Sequence, residues 1–271
     1  MIGQRCVQQQ IKAEIENRSL ARFIILVGDV GSGRKTLAKE IAKWVGADCV
    51  VADKGVDAVR EIISQCYQSS ADVLYVLDGD NMSQASKSAL LKVTEEPPKG
   101  ARFVLTVTDL EQTLATLRSR ARVFRMDNYT DSDIAYFAGT DDVRFSNFCT
   151  NKYEVDLLKG YGIDEFSEFV ELVIDNVATT SCANVFKIEE KLALKGEEDK
   201  FDPKIFLQAF RTVCMQRVPN TERYQDRIKY IQWTSVTTET LAKLKVSSLN
   251  KVALLDMWIF DVRKVAHDAE S

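Results

Sequence analysis

A chain of 271 residues has room for two or three domains, each with its own core. No apolar run nears the roughly 18 residues of a membrane span, and no apolar segment follows Met1-Ile2-Gly3-Gln4-Arg5, so a signal peptide and a membrane partner are not expected and the chain reads as cytoplasmic. The net charge of −4 argues against bulk attraction to nucleic acid, while a single histidine (His267) and six scattered cysteines without a Cys-x-x-Cys pair argue against a zinc site, a disulfide framework or a histidine-dependent nucleophile.

In chain order, Val7, Ile11 and Ile15 recur at helical spacing. The run Phe23-Ile24-Ile25-Leu26-Val27 predicts a strand over 22–27, and Leu37, Ile41 and Trp44 predict the helix that follows. Between them lies Gly28-Asp29-Val30-Gly31-Ser32-Gly33-Arg34-Lys35-Thr36, which has the context of a phosphate-binding loop: strand, glycine turn, helix N-terminus. A working loop continues after its last glycine with Lys, which reaches the terminal phosphates, and then Ser or Thr, whose hydroxyl binds magnesium. Counting from Gly28 puts Arg34 at the lysine position and Lys35 at the hydroxyl position. Lys35-Thr36 restores the usual pair only if the loop accommodates one extra residue, because a helical step turns a side chain by about 100°. Gly28, Gly31, Ser32, Gly33, Arg34, Lys35 and Thr36 are therefore the candidate phosphate-holding residues, with the magnesium hydroxyl lost.

A short extended segment follows at Cys49–Ala52, then a helix carrying Val56, Val59, Ile62, Ile63 and Cys66. The next strand, Val73–Leu77, ends in Asp78-Gly79-Asp80. Such an acidic strand end holds nucleotide-bound magnesium in P-loop proteins, so Asp78 joins the candidate site. The following position normally carries a Glu that polarises the attacking water; here it is Gly79. Asp80 is expected on the opposite face, because side chains alternate along extended backbone. Ser83 caps a helix through Ala85, Ala89, Leu90 and Val93 that must end by Pro97-Pro98. Phe103–Val107 and Val123-Phe124 complete the strands, and continuous apolar strands between helices predict a parallel sheet covered on both faces.

From Asp131 onward only helical periodicity remains: Ile134–Phe137, Val155–Leu158, Phe166–Ile174 and Val185–Leu194. The charged stretch 195–200 reads as a solvated linker, Ile205, Phe206, Ala209, Phe210 and Val213 form one apolar face, and Val252, Leu255, Ile259, Val262 and Ala266 mark a last helix. The expected organisation is an α/β domain over 1–127, a helical domain over 128–195 and a second helical domain over 196–271.

The stretch from Asp78 to Pro98 closely resembles the region after the acidic strand in bacterial clamp-loader subunits of the AAA+ family, with Ser88-Ala89-Leu90-Leu91-Lys92 and Glu95-Glu96-Pro97-Pro98 matching that family's signature. Arg102–Thr108 is similar to its sensor strand, and Leu114–Ala121 resembles its Ser-Arg-Cys motif with Ala121 in place of Cys. Ile2-Gly3-Gln4 is similar to the N-terminal box that packs near adenine. The matches follow in family order over residues 2–125.

The resemblance implies a AAA+ module, a helical lid and a helical collar through which five subunits form a ring that loads a sliding clamp on primed DNA. It lends Arg120 the role of an arginine finger, reaching into a neighbouring subunit's nucleotide site. Motor subunits of the family keep the loop Lys, the hydroxyl and an Asp-Glu pair, whereas the delta-prime type often has a degraded loop and contributes its arginine. Arg34, Lys35 and Gly79 depart from the motor pattern while Ser119-Arg120 is retained, so the delta-prime type is expected. That type's common cysteine cluster is missing, so no zinc is expected; ATP binding stays open, and magnesium enters only with ATP. Motor and clamp-opening subunits, the sliding clamp and primer-template DNA are the implied partners, and Arg5, Lys87, Lys92 and Lys99 are basic residues that can face phosphates. Three other readings stand beside this one: an ATP-hydrolysing motor subunit using Lys35-Thr36, a P-loop phosphotransferase, and a nucleotide-free scaffold.

Overall fold

The structure, a computed structural model, describes residues 1–52, 56–179, 191–192, 201–244 and 249–270. It divides into two compact units, Met1–Asp133 and Ile134–Ser271, a few residues beyond the expected change of pattern at 127. Apart from Lys191 and Leu192, the helix expected over 185–194 and the linker over 195–200 lie outside the described residues.

The first unit runs α1 (Arg5–Glu16), β1 (Phe23–Val27), α2 (Arg34–Val45), β2 (Asp48–Val51), α3 (Val56–Gln68), β3 (Val73–Asp78), a 3-10 turn (Gly79–Asn81), α4 (Gln84–Glu95), β4 (Ala101–Val107), α5 (Ala115–Arg118) and β5 (Arg122–Arg125). The five strands form one parallel sheet in the order β2-β3-β4-β1-β5. Alternate residues of the central strands serve opposite faces. Phe23, Ile25, Tyr75, Leu77, Phe103 and Leu105 pack with Val59 and Ile62 of α3 and with Leu90 and Val93 of α4. Ile24, Leu26, Leu74, Val76 and Val104 pack with Val7 and Ile11 of α1 and with Leu37 and Ile41 of α2. A strand covered on both faces has no polar side to show, which is why these strands read as unbroken apolar runs. Each large side chain buried this way contributes roughly 1.5–3 kcal/mol. α4 starts where Ser83 Oγ accepts the Ser86 N–H at 3.2 Å, and it stops at Glu95, ahead of the two prolines.

α6 (Asp131–Ala138) begins in the first unit and ends in the second, which continues with α7 (Val143–Phe148), α8 (Lys152–Tyr161), α9 (Ile163–Asn176), α10 (Pro203–Arg217), α11 (Tyr224–Leu244) and α12 (Lys251–Glu270). Its core is aromatic. Phe206 and Phe210 on α10 meet Trp258 of α12 edge-on at ring-centroid separations of 5.6 and 4.9 Å, and Phe210 lies 5.8 Å from Trp233 of α11. α7 and α11 were not expected from the apolar spacing.

Candidate functional site

Because all strands run one way, the loop after β1 and the acidic end of β3 emerge on the same edge of the sheet, where open α/β sheets bind ligands. β4 separates the two strands, so their ends stand about 10 Å apart, two strand spacings, a gap that long cationic side chains can cross. α2 begins at Arg34 directly after Gly33, and the Leu37 N–H donates to the Gly33 carbonyl at 2.8 Å. The loop accommodates no extra residue. Arg34 takes the lysine position, Lys35 takes the hydroxyl position, and Thr36 lies exposed one helical step on. Gly33 has a φ of +87°, and a Cβ there would meet the Tyr129 hydroxyl at 2.9 Å, so both conformation and space call for glycine.

Both cations reach the acidic strand end. Arg34 Nη1 meets Asp80 Oδ2 at 2.9 Å, and Lys35 Nζ meets Asp78 Oδ2 at 2.9 Å. Asn81 Nδ2 donates to Asp78 at 3.2 Å, and Asp80 Oδ1 accepts the Thr108 N–H at 2.7 Å and its hydroxyl at 3.0 Å. Burial pushes the Asp78 carboxyl up, but hydrogen bonds from Lys35 and Asn81, with the charges of Lys35 and Arg34, outweigh it and hold the group below its ordinary value. The expectation that Asp80 faces away is corrected here. Gly79–Asn81 form a 3-10 turn, whose rotation of about 120° per residue differs from the alternation of a strand, and Asp80 joins the loop side.

The position after Asp78 is closed to a side chain. Gly79 is buried, and a Cβ would lie 2.6 Å from Val107 Cγ1 and 3.0 Å from Leu105 Cδ1, both in the core. The N-terminal box grips the loop as well. Gln4 is 1% exposed; its Nε2 donates to the Asp127 carbonyl at 2.8 Å and the Ser32 carbonyl at 3.2 Å, while its Oε1 accepts the Asp127 N–H at 2.6 Å. The Tyr129 hydroxyl donates to the same Ser32 carbonyl at 3.0 Å, and Ser32 Oγ is buried without a hydrogen-bond partner.

Magnesium in nucleotide sites is held near-octahedrally by oxygens, usually one or two carboxylates with waters and phosphates. Here each carboxylate already pairs with a loop cation, and the hydroxyl position carries Lys35. These residues do not fit the ion.

Arg120 sits on the turn between α5 and β5. Its Nη1 donates to the Thr116 carbonyl at 2.6 Å, its Nη2 pairs with Glu95 at the end of α4, and its side chain stays 33% exposed. Arg118 and Arg122 pair with Glu111 and Glu14, each at 2.6 Å, so three arginines at alternate positions take three different carboxylates. Of the basic residues offered for DNA, Arg5, Lys92 and Lys99 are exposed. Lys87 is 8% exposed and its ammonium donates to the Gln112 carbonyl at 3.0 Å, which corrects its place as a surface phosphate contact.

The family described as DNA polymerase III, delta subunit, matches residues 50–130. The DNA polymerase III subunit gamma of Buchnera aphidicola subsp. Schizaphis graminum is 28% identical over 169 residues, covering 51% of this chain and 47% of the relative. The DNA polymerase III subunit delta' of Escherichia coli is 42% identical over 73 residues, 26% of this chain and 22% of the relative. These matches support a AAA+ protein of the bacterial clamp-loader type. A solved DNA polymerase III gamma subunit-related protein from Thermotoga maritima has the same fold, with a TM-score of 0.50 and 17% identity over 95% of this chain and 99% of that one. The chain spans under half the length of these curated relatives.

The family match takes in Asp78, Gly79, Glu95 and Arg120 and begins after the phosphate loop. Sequence reasoning missed the partners of the site. Glu95 belongs to the Glu-Glu-Pro-Pro signature, but nothing in that motif says it pairs with Arg120. Asp127 and Tyr129 carried no signal, since each acts through contacts 97 or more residues away along the chain, and the sensor-like strand that ends at Thr108 gave no sign that this residue holds Asp80.

Proposed function

We propose that this chain is a delta-prime-like clamp-loader subunit, a AAA+ ring member that does not hydrolyse ATP itself and supplies Arg120 to a neighbouring subunit's nucleotide. The observation that carries the reading is the contrast between its two ends. Its own loop and acidic strand pair with each other and leave no place for magnesium or a catalytic glutamate, whereas Arg120 remains partly exposed with N–H groups beyond the two in use. A guanidinium offered in trans stabilises charge on a transferring phosphoryl group. In this reading residues 128–195 are the lid and 196–271 the collar of a five-subunit ring with motor and clamp-opening subunits, acting in the cytoplasm on a sliding clamp and primer-template DNA. The direct start of α2 at Arg34 disfavours a motor based on Lys35-Thr36.

The test is reconstitution with motor and clamp-opening subunits. Arg120→Ala is expected to lower the ATPase of the adjacent motor site by about 10³-fold or more, the range of known arginine fingers. Unchanged turnover by the reconstituted ring would remove the finger assignment. Steady ATP turnover by the purified chain alone, lost on Lys35→Ala, would favour the motor reading.

A further inference from the structure

We infer that Lys35 is a built-in replacement for the magnesium ion, and that loop and acidic strand end form a closed clamp that takes no magnesium nucleotide. This rests on reading the loop as a non-hydrolysing P-loop, and is independent of what Arg120 does.

In a working site the ion lies between the hydroxyl that follows the loop lysine and the acid that ends a neighbouring strand. Lys35 starts from the first of these positions, and its ammonium lands on the second, Asp78, at 2.9 Å. A tethered cation thus joins the same two positions the ion would join. Arg34, at the position whose cation would reach the terminal phosphates, is turned to Asp80, and Asp80 is fixed in turn by the backbone and hydroxyl of Thr108. The four charges cancel, so this set offers a phosphate chain no net attraction. Magnesium binds oxygens at about 2.0–2.1 Å, and an ion approaching Asp78 meets the Lys35 ammonium already seated on Oδ2, which also accepts from Asn81. Nor does the loop need a ligand to hold its shape, because Gln4 and Tyr129 both bond the Ser32 carbonyl.

The test uses the purified full chain, with Mn²⁺ as a paramagnetic stand-in for magnesium and fluorescent ADP and ATP analogues as nucleotide probes. For the natural chain, no saturable Mn²⁺ signal is expected, and EDTA should not alter the nucleotide titration. The double variant Arg34→Lys/Lys35→Thr, confirmed folded by circular dichroism, is expected to bind nucleotide at least tenfold more tightly with Mn²⁺ than in EDTA. If that variant does not fold, Lys35→Met serves, since removing the ammonium alone should raise Mn²⁺ affinity at least tenfold. The inference is overturned if the natural chain binds nucleotide with a tenfold or greater dependence on the metal, or if the folded variant binds metal no better than the natural chain. Metal-dependent binding without turnover would overturn this inference alone; turnover by the isolated natural chain would overturn the non-hydrolysing reading as well.

Discussion

A Cβ on Gly79 would press to 2.6 Å from Val107 Cγ1, so the residue after Asp78 has been absorbed into the packing of the sheet edge. Gly79→Glu is therefore expected to destabilise the first unit by about 1–3 kcal/mol through overpacking, read as a lower urea midpoint, without creating ATPase activity. This position was legible in the sequence as a missing glutamate, but not as a filled space. Arg34 and Lys35 were legible as substitutions at known positions, because their spacing from Gly28 is local. Their destinations were not, because Asp78 and Asp80 lie 43 and 46 residues further along and Asp80 turns with a 3-10 step that strand alternation does not anticipate. Glu95 stands inside the Glu-Glu-Pro-Pro motif, and only the fold brings it to Arg120.

At the scale of elements, α11 shows why one long helix escaped a reading by apolar spacing. Its buried face is Trp233, Thr237, Thr240 and Leu241, so half of it is written in polar letters. Thr237 and Thr240 each turn the hydroxyl back to the carbonyl four residues earlier, at 2.7 and 3.0 Å, and Thr237 also accepts the Trp258 indole N–H at 2.9 Å. A threonine so satisfied packs through its methyl group. α1 to α3 and the three central strands were legible because their buried positions are mostly apolar, whereas α4 was legible from Leu90, Val93, its Ser83 cap and the prolines after it, since Ser86, Lys87 and Thr94 are buried there too. α10 offers a test of how an element is started. Asp202 caps it, accepting the N–H groups of Lys204 at 2.8 Å and Ile205 at 3.1 Å. Burial, joined by the nearby Glu154 charge, raises its carboxyl above the ordinary 3.8, against the pull of those two N–H groups and Lys204. A value raised on folding means that this group's favourable contribution is full below the ordinary value and is lost as pH rises through the folded one. Asp202→Asn keeps a cap of similar strength without the charge. At pH 7 it is expected to match or exceed the natural chain in urea midpoint, with the difference vanishing in acid, while Asp202→Ala loses about 1 kcal/mol.

At the scale of the molecule, two units with separate cores follow one another, and the change from strand-and-helix to helix alone was visible in the sequence near the point where the units divide. The split of the second half into lid and collar remains part of the functional proposal, and the stretch 193–200 that would mark it lies outside the described residues. Within the first unit, strand order has a consequence for time. The clamp joins the ends of β1 and β3, yet β4, late in the chain, lies between them and carries Thr108 just beyond its end. Contacts of such long sequence separation are slow to assemble, so the clamp is expected to close after the folding barrier has been crossed. Interactions absent from the transition state act on unfolding alone. Lys35→Met should accordingly steepen the loss of native protein in stopped-flow unfolding and leave the refolding rate near that of the natural chain. The two ion pairs would then govern how long the native sheet lasts, and have little part in how quickly it is reached.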